Sequence, residues 1–180
     1  PPLPEPLRGP GRQGVTTGGK RLRPILCVEG WRAVRGASGG GAPKGQGESG
    51  AAPEALHDLA ASLELIHAYS LMHDDLPSMD DAPLRRGRPT PHTLFGEGPT
   101  TVGGAALIPG AGLQLWGAAR ALGVEEGVAR ALLALLARAA GGGGMVGGQV
   151  LDLEGEGKAL GREALDRLHR AKTGALLTAS

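Results

Sequence analysis

The chain has 180 residues, enough for one domain with its own core. A net charge of +1 excludes a general electrostatic pull toward nucleic acid or an anionic membrane surface, so the basic residues matter by where they cluster. A single cysteine, Cys27, excludes an internal disulfide and a thiolate metal site.

Ala and Leu supply most of the apolar mass, beside 33 glycines, two Trp, one Tyr and one Phe. A core of that kind suits helix on helix better than a sheet, where β-branched and aromatic side chains are enriched. The expected fold class is all-α. No run of about 20 apolar residues is evident, so no membrane span is expected. The Pro-rich start has no secretory pattern, and a cytoplasmic location is the default.

Residues 1–17 are Pro- and Gly-containing without periodicity and are expected to be an irregular lead-in. Gly18-Gly-Lys-Arg-Leu-Arg-Pro24 follows. Two glycines admit close backbone approach, three cations come next, and Pro24 suits the first turn of a helix reaching about Val34. The segment fits an anion site and equally a helix start with solvated basic residues. Residues 36–53, rich in Gly, Ala, Pro and Ser, read as a flexible loop.

From Pro53 the pattern turns helical, with Leu56, Leu59, Ala60, Leu63 and Ile66 on one stripe. The stripe leads into His-Asp-Asp-Leu-Pro-Ser-Met-Asp-Asp and then Leu-Arg-Arg-Gly-Arg-Pro-Thr-Pro-His, residues 73–92. Asp74, Asp75, Asp80 and Asp81 crowd together, which is costly without a cation among them. Mg²⁺ takes carboxylate oxygen and completes its shell with water and phosphate, and Arg85, Arg86 and Arg88 next door suit that phosphate. Pro77 must break the helix if Asp80 is to join Asp74, because six residues is well off a whole number of turns.

His67 and Asp74 share a helix face about 10 Å apart. By itself His67 reads as readily as a packed or capped residue, and Tyr69 as core. Beyond Glu97, the stretch 98–112 carries two Pro and five Gly, so a loosened helix or a loop is expected. Helical patterns resume at Leu113–Leu122 and Val128–Ala140, break at Gly141–Gly144, restart at Met145–Leu153 with Gln149 and Asp152 on one face, and end with about Gly161 to Leu177.

The aspartate stretch and its arginines resemble the first aspartate-rich motif of the trans-isoprenyl diphosphate synthases, in the form typical of bacterial farnesyl diphosphate synthases. Gly-Gly-Lys-Arg-Leu-Arg-Pro, Gly-Gln-x-x-Asp-Leu and Lys172-Thr-Gly174 resemble further motifs of that family, in the same order. The resemblance implies an isoprenoid-synthase-like helical bundle, incomplete here, making 1–180 a single partial domain. It implies Mg²⁺-dependent transfer of an allylic diphosphate's prenyl group to isopentenyl diphosphate, giving farnesyl diphosphate, in a homodimer.

Carried over residue by residue, Lys20, Arg23, His67 and Arg86 bind isopentenyl diphosphate, Arg85 clamps the allylic diphosphate, and Tyr69 limits product length. Asp74, Asp75 and Asp80 form the metal cluster for two or three Mg²⁺ ions. Asp74 and Asp80 are its ligands, with Asp75 and Asp81 in support. Gln149, Lys172 and Thr173 line the path of the allylic cation. The family's second aspartate-rich motif lies beyond Ser180, so a fragment or a regulatory, catalytically silent subunit is the alternative. A terpene cyclase fits less well, having no isopentenyl diphosphate for Lys20, Arg23 and His67 to bind.

Overall fold

The computed structural model describes residues 4–37 and 52–180. It runs α1 (Glu5–Thr16), α2 (Leu22–Ala37), α3 (Glu54–Asp74), a hairpin of β1 (Leu84–Arg85) and β2 (Arg88–Pro89), then α4 (Pro91–Phe95) and α5 (Glu97–Ala121). The remainder is α6 (Glu126–Ala140), α7 (Met145–Gly155), α8 (Arg162–His169), a π-helical turn (Arg170–Gly174) and α9 (Ala175–Thr178). The all-α expectation holds, with one two-residue-by-two-residue hairpin added.

The core lies where α3, α5 and α6 meet. Leu63 and Ile66 of α3 pack with Ala111 and Leu115 of α5, Leu136 and Ala140 of α6, and Leu176 of α9. Leu and Ile buried this fully contribute about 1.5–3 kcal/mol each. The alanines let the helix axes come close, which is how a chain poor in aromatics closes a core.

Two expectations are corrected. The irregular lead-in is α1: Pro6 sits in the first turn, where its missing N–H has no partner to lose, and Pro10 and Gly11 are buried. The stretch 98–112 is neither loosened nor a loop but part of the unbroken α5, despite Pro109 in its interior. Local propensity argued against a helix there by about 3 kcal/mol for the proline and about 1 for each glycine.

Packing outweighs that cost. Gly104, Leu107, Ala111, Leu115 and Ala118 are buried at helical spacing, and a Cβ on Gly104 would lie 2.8 Å from the His73 ring of α3. The small residues that weaken the helix alone are what admit α3 against it. His73 completes the join, with Nε2 3.0 Å from the Thr101 carbonyl.

Of the flexible loop expected at 36–53, residues 38–51 lie outside the described residues, and 36 and 37 end α2. The expected helix from about Gly161 to Leu177 is present as the continuous run of α8, the π turn and α9.

The segment Glu126–Gly155 passes a length-and-composition test for a membrane span, which the sequence reading did not foresee. The turn at residues 141–144 divides it, and α6, with 15 residues, reaches only about 22 Å. That is short of the roughly 30 Å of a hydrocarbon core. Ala129, Leu136, Ala139 and Ala140 of α6 are buried. Those four belong to the core, while Val128 and Leu135 of the same helix are exposed.

Candidate functional site

Pro77 stops α3 three residues after Asp74, and the chain folds back on itself. The Asp80 N–H donates to the Asp74 carbonyl at 2.9 Å, the Asp81 N–H to the Leu76 carbonyl at 3.1 Å, and the Ala82 N–H to the Asp75 carbonyl at 3.2 Å. This turn returns Asp80 to the neighbourhood of Asp74, which a straight helix cannot do. The electrostatics agree: burial first of all holds the Asp74 carboxyl above the ordinary carboxylate range, Asp80 and Asp75 push it the same way, and Lys172 and Arg85 oppose them.

Asp75 turns elsewhere. It is 1% exposed, and both of its oxygens accept from Arg85, from Nε at 2.8 and 2.9 Å and from Nη2 at 2.6 Å. The expected metal-cluster residue Asp75 and the expected diphosphate clamp Arg85 are therefore partners of each other. The pairing fixes Arg85 beside the cluster, and its Nη1 makes no hydrogen bond among the described residues.

The hairpin sets the arginines. Arg85 pairs with Arg88 and Leu84 with Pro89. Arg86 and Gly87 form the turn with φ of 53° and 75°, the double left-handed conformation of a type I′ connection. Consequently Arg85 points to Asp75 while Arg86 reaches the other way, donating from Nη1 to the Gly18 carbonyl at 2.6 Å.

That contact joins the hairpin to a second, cationic site. Lys20, Arg23, Glu64, His67 and Arg86 line an open cavity of about 340 Å³. Arg23 carries a buried Nε without a hydrogen-bond partner. Burial lowers the pKa of its guanidinium, while Glu64 pulls it the other way. His67 is pushed down to about 4, by burial first and then by the positive charge of Arg23. A neutral imidazole beside an unsatisfied guanidinium is a site short of negative charge.

On the far side, Lys172 pairs with Asp152 of α7 through Nζ and Oδ2. The two helical segments touch backbone to backbone: a Cβ on Gly148 would fall 2.1 Å from the Lys172 nitrogen. This contact aims Lys172 near enough to the aspartates for its charge to act on Asp74. Gln149, one residue on, keeps a buried Oε1 with no hydrogen-bond partner. Thr173 is exposed in the same π turn. Tyr69 lies below Asp74, its ring edge-on to His73 at 4.6 Å between centroids.

The expected residues thus fall into two neighbouring groups, one anionic around Asp74 and Asp80, one cationic around Lys20 and Arg23, with the hairpin between them. Among the described residues no three His, Cys, Asp or Glu side chains converge as a ready metal cage. Sequence reasoning missed Glu64 and Arg21, which pair inside the cationic site. The signal for Glu64 was present: one acid on an otherwise apolar stripe, three residues before His67.

Known proteins are similar to the chain in sequence and in fold. The chain is 40% identical over 179 residues to a farnesyl diphosphate synthase of Geobacillus stearothermophilus, covering 96% of this chain and 55% of that protein. It is 44% identical over 172 residues to a chloroplastic geranylfarnesyl diphosphate synthase of Leucosceptrum canum, covering 94% of this chain and 43% of that one. A solved geranyltransferase from Legionella pneumophila superposes with a TM-score of 0.85 at 33% identity, over 99% of this chain and 57% of its own. The chain spans about half the length of the curated relatives it matches. Residues 4–180 match the model of the polyprenyl synthetase family, and the chain belongs to that family.

Proposed function

We propose that this chain forms the diphosphate-binding half of a trans-prenyltransferase site, serving the condensation of isopentenyl diphosphate with an allylic diphosphate. The observation that carries the reading is the pairing of a strained anionic group with an unsatisfied cationic one. Asp74 is half-buried beside Asp80 with its carboxyl pushed up, while Arg23 keeps a buried Nε without a hydrogen-bond partner and His67 beside it is held neutral.

The donor set at Asp74 and Asp80 is carboxylate oxygen, the ligand class of Mg²⁺, which needs only one or two protein carboxylates when substrate phosphate is present. A divalent cation there relieves the repulsion that raises Asp74. Its chemistry would be to neutralise the charge that develops on the departing allylic diphosphate. Asp75 supports this by holding Arg85 in place. Lys172 supplies a second positive charge on the same side, oriented by Asp152.

On the cationic side Lys20, Arg23 and Arg86 hold isopentenyl diphosphate, with neutral His67 as a hydrogen-bond partner. Gln149 and Thr173 are read as lining the path of the allylic cation. Tyr69 is placed to close the pocket beneath the aspartates. Product length remains a matter of that floor, since relatives bear the names of both farnesyl and geranylfarnesyl synthases. A second copy of this chain is the partner we expect, over the apolar outer face of α5 where Val102 is 54% and Leu113 63% exposed.

Thermal unfolding with ligands tests the reading. Dimethylallyl diphosphate with Mg²⁺ at about 100 times its Kd raises stability by about 2.7 kcal/mol, and Asp74→Asn abolishes that gain. Without ligand the same variant melts higher than the unaltered chain at pH 7, because it removes a carboxylate that is costly to ionise there. A variant that keeps the full Mg²⁺-dependent gain contradicts the proposal.

A further inference from the structure

Glu64 is out of place for an anion site. It stands on α3 in the wall of the cationic cavity, with its side chain 13% exposed. A carboxylate so placed repels any incoming diphosphate unless its charge is taken up by something else. Arg21 takes it up, pairing through Nη1.

Arg21 is itself unusual. Its φ is 51°, a left-handed conformation that a non-glycine residue keeps only where its surroundings hold it. Two contacts hold it: the pair with Glu64, and a bond from Nη2 to the Val15 carbonyl near the end of α1 at 2.8 Å. Gly18 and Gly19, with φ of 91° and 137°, carry the chain into this turn. Arg86 pins the same turn at the Gly18 carbonyl. Lys20 and Arg23 flank Arg21, so the direction of each depends on the peptide planes that Arg21 fixes.

We propose that Glu64 is a positioning residue: by tethering Arg21 it locks the turn between α1 and α2, so that Lys20 and Arg23 converge on one diphosphate. The inference deepens the reading of the cavity as the isopentenyl diphosphate site and rests on it. Glu64 leaves the ligand untouched. Its effect passes through the backbone of Arg21.

The alternatives predict opposite signs. If Glu64 acts on the ligand only by its charge, Glu64→Gln removes a repulsion and tightens isopentenyl diphosphate binding. If it positions the turn, Glu64→Gln weakens that binding about tenfold, the loss of one charge-assisted hydrogen bond. Calorimetric titration of the chain with isopentenyl diphosphate reads the difference. Arg21→Met gives the same loss, and the double variant loses no more than either alone, as expected for one shared interaction.

A general loss of structure is separated by two further measurements. Binding of dimethylallyl diphosphate with Mg²⁺ stays unchanged in Glu64→Gln, and trypsin cuts faster after Lys20 and Arg21 without faster cutting elsewhere. Equal or tighter isopentenyl diphosphate binding by Glu64→Gln overturns this inference alone. Failure of the unaltered chain to bind isopentenyl diphosphate overturns the diphosphate reading and this inference with it.

Discussion

His67 shows how one side chain reports on its site. Its imidazole, ordinarily near 6.5, is held at about 4 by burial and by Arg23. Between those two pH values the unfolded chain binds a proton at this position and the folded chain does not, so stability falls as the solution is acidified. The contribution is fully present above about pH 6.5 and is lost as pH falls toward 4. Replacing His67 by Gln is expected to remove about 1–3 kcal/mol of that acid sensitivity. Melting curves at pH 7, 6, 5 and 4 check it, and parallel losses in both proteins would show that His67 is not held neutral. Asp74 works in the opposite sense, its raised carboxyl costing stability as pH rises. Both residues are less comfortable without ligand than they would be on a surface, which is the usual cost of a binding site.

At the scale of elements, the π turn and α7 act as one unit. The extra residue of a π turn lets Lys172 leave the ordinary helical register, and Gly148 admits its backbone with no room for a methyl group. Gly148→Ala is therefore expected to push the two segments apart, release the Asp152–Lys172 pair and cost about 1–3 kcal/mol in overpacking. A larger effect on Mg²⁺-dependent diphosphate binding than Gly104→Ala at equal loss of stability would place the damage at the site. An unchanged melting temperature would contradict the packing. The sequence made α3, α6 and the break at 141–144 legible, because each follows a clear apolar period or a run of glycines. It hid α1 and the first half of α5, whose prolines and glycines oppose a helix locally and are overruled by contacts such as Pro10 on Gly103. The hairpin was equally hidden, since its only local mark is Arg86-Gly87 between short strands.

Over the whole molecule, the site is assembled from four separated stretches: the turn after α1, the end of α3, the hairpin, and α7 with the π turn. The aspartates and arginines could be singled out from the sequence because they are dense and adjacent. Which arginine meets which acid could not, since Arg85 closing on Asp75 and Arg86 on Gly18 depend on the left-handed hairpin turn. The account as a whole depends on Asp74 and Asp80 facing a common metal. The direct measurement is a crystal grown with dimethylallyl diphosphate and Mn²⁺ in place of Mg²⁺, located by its anomalous scattering. A peak about 2.0–2.3 Å from carboxylate oxygens of both Asp74 and Asp80, and in contact with the diphosphate, is the predicted result. Diphosphate bound with no metal at these two residues, or both carboxylates turned into solvent, would contradict it.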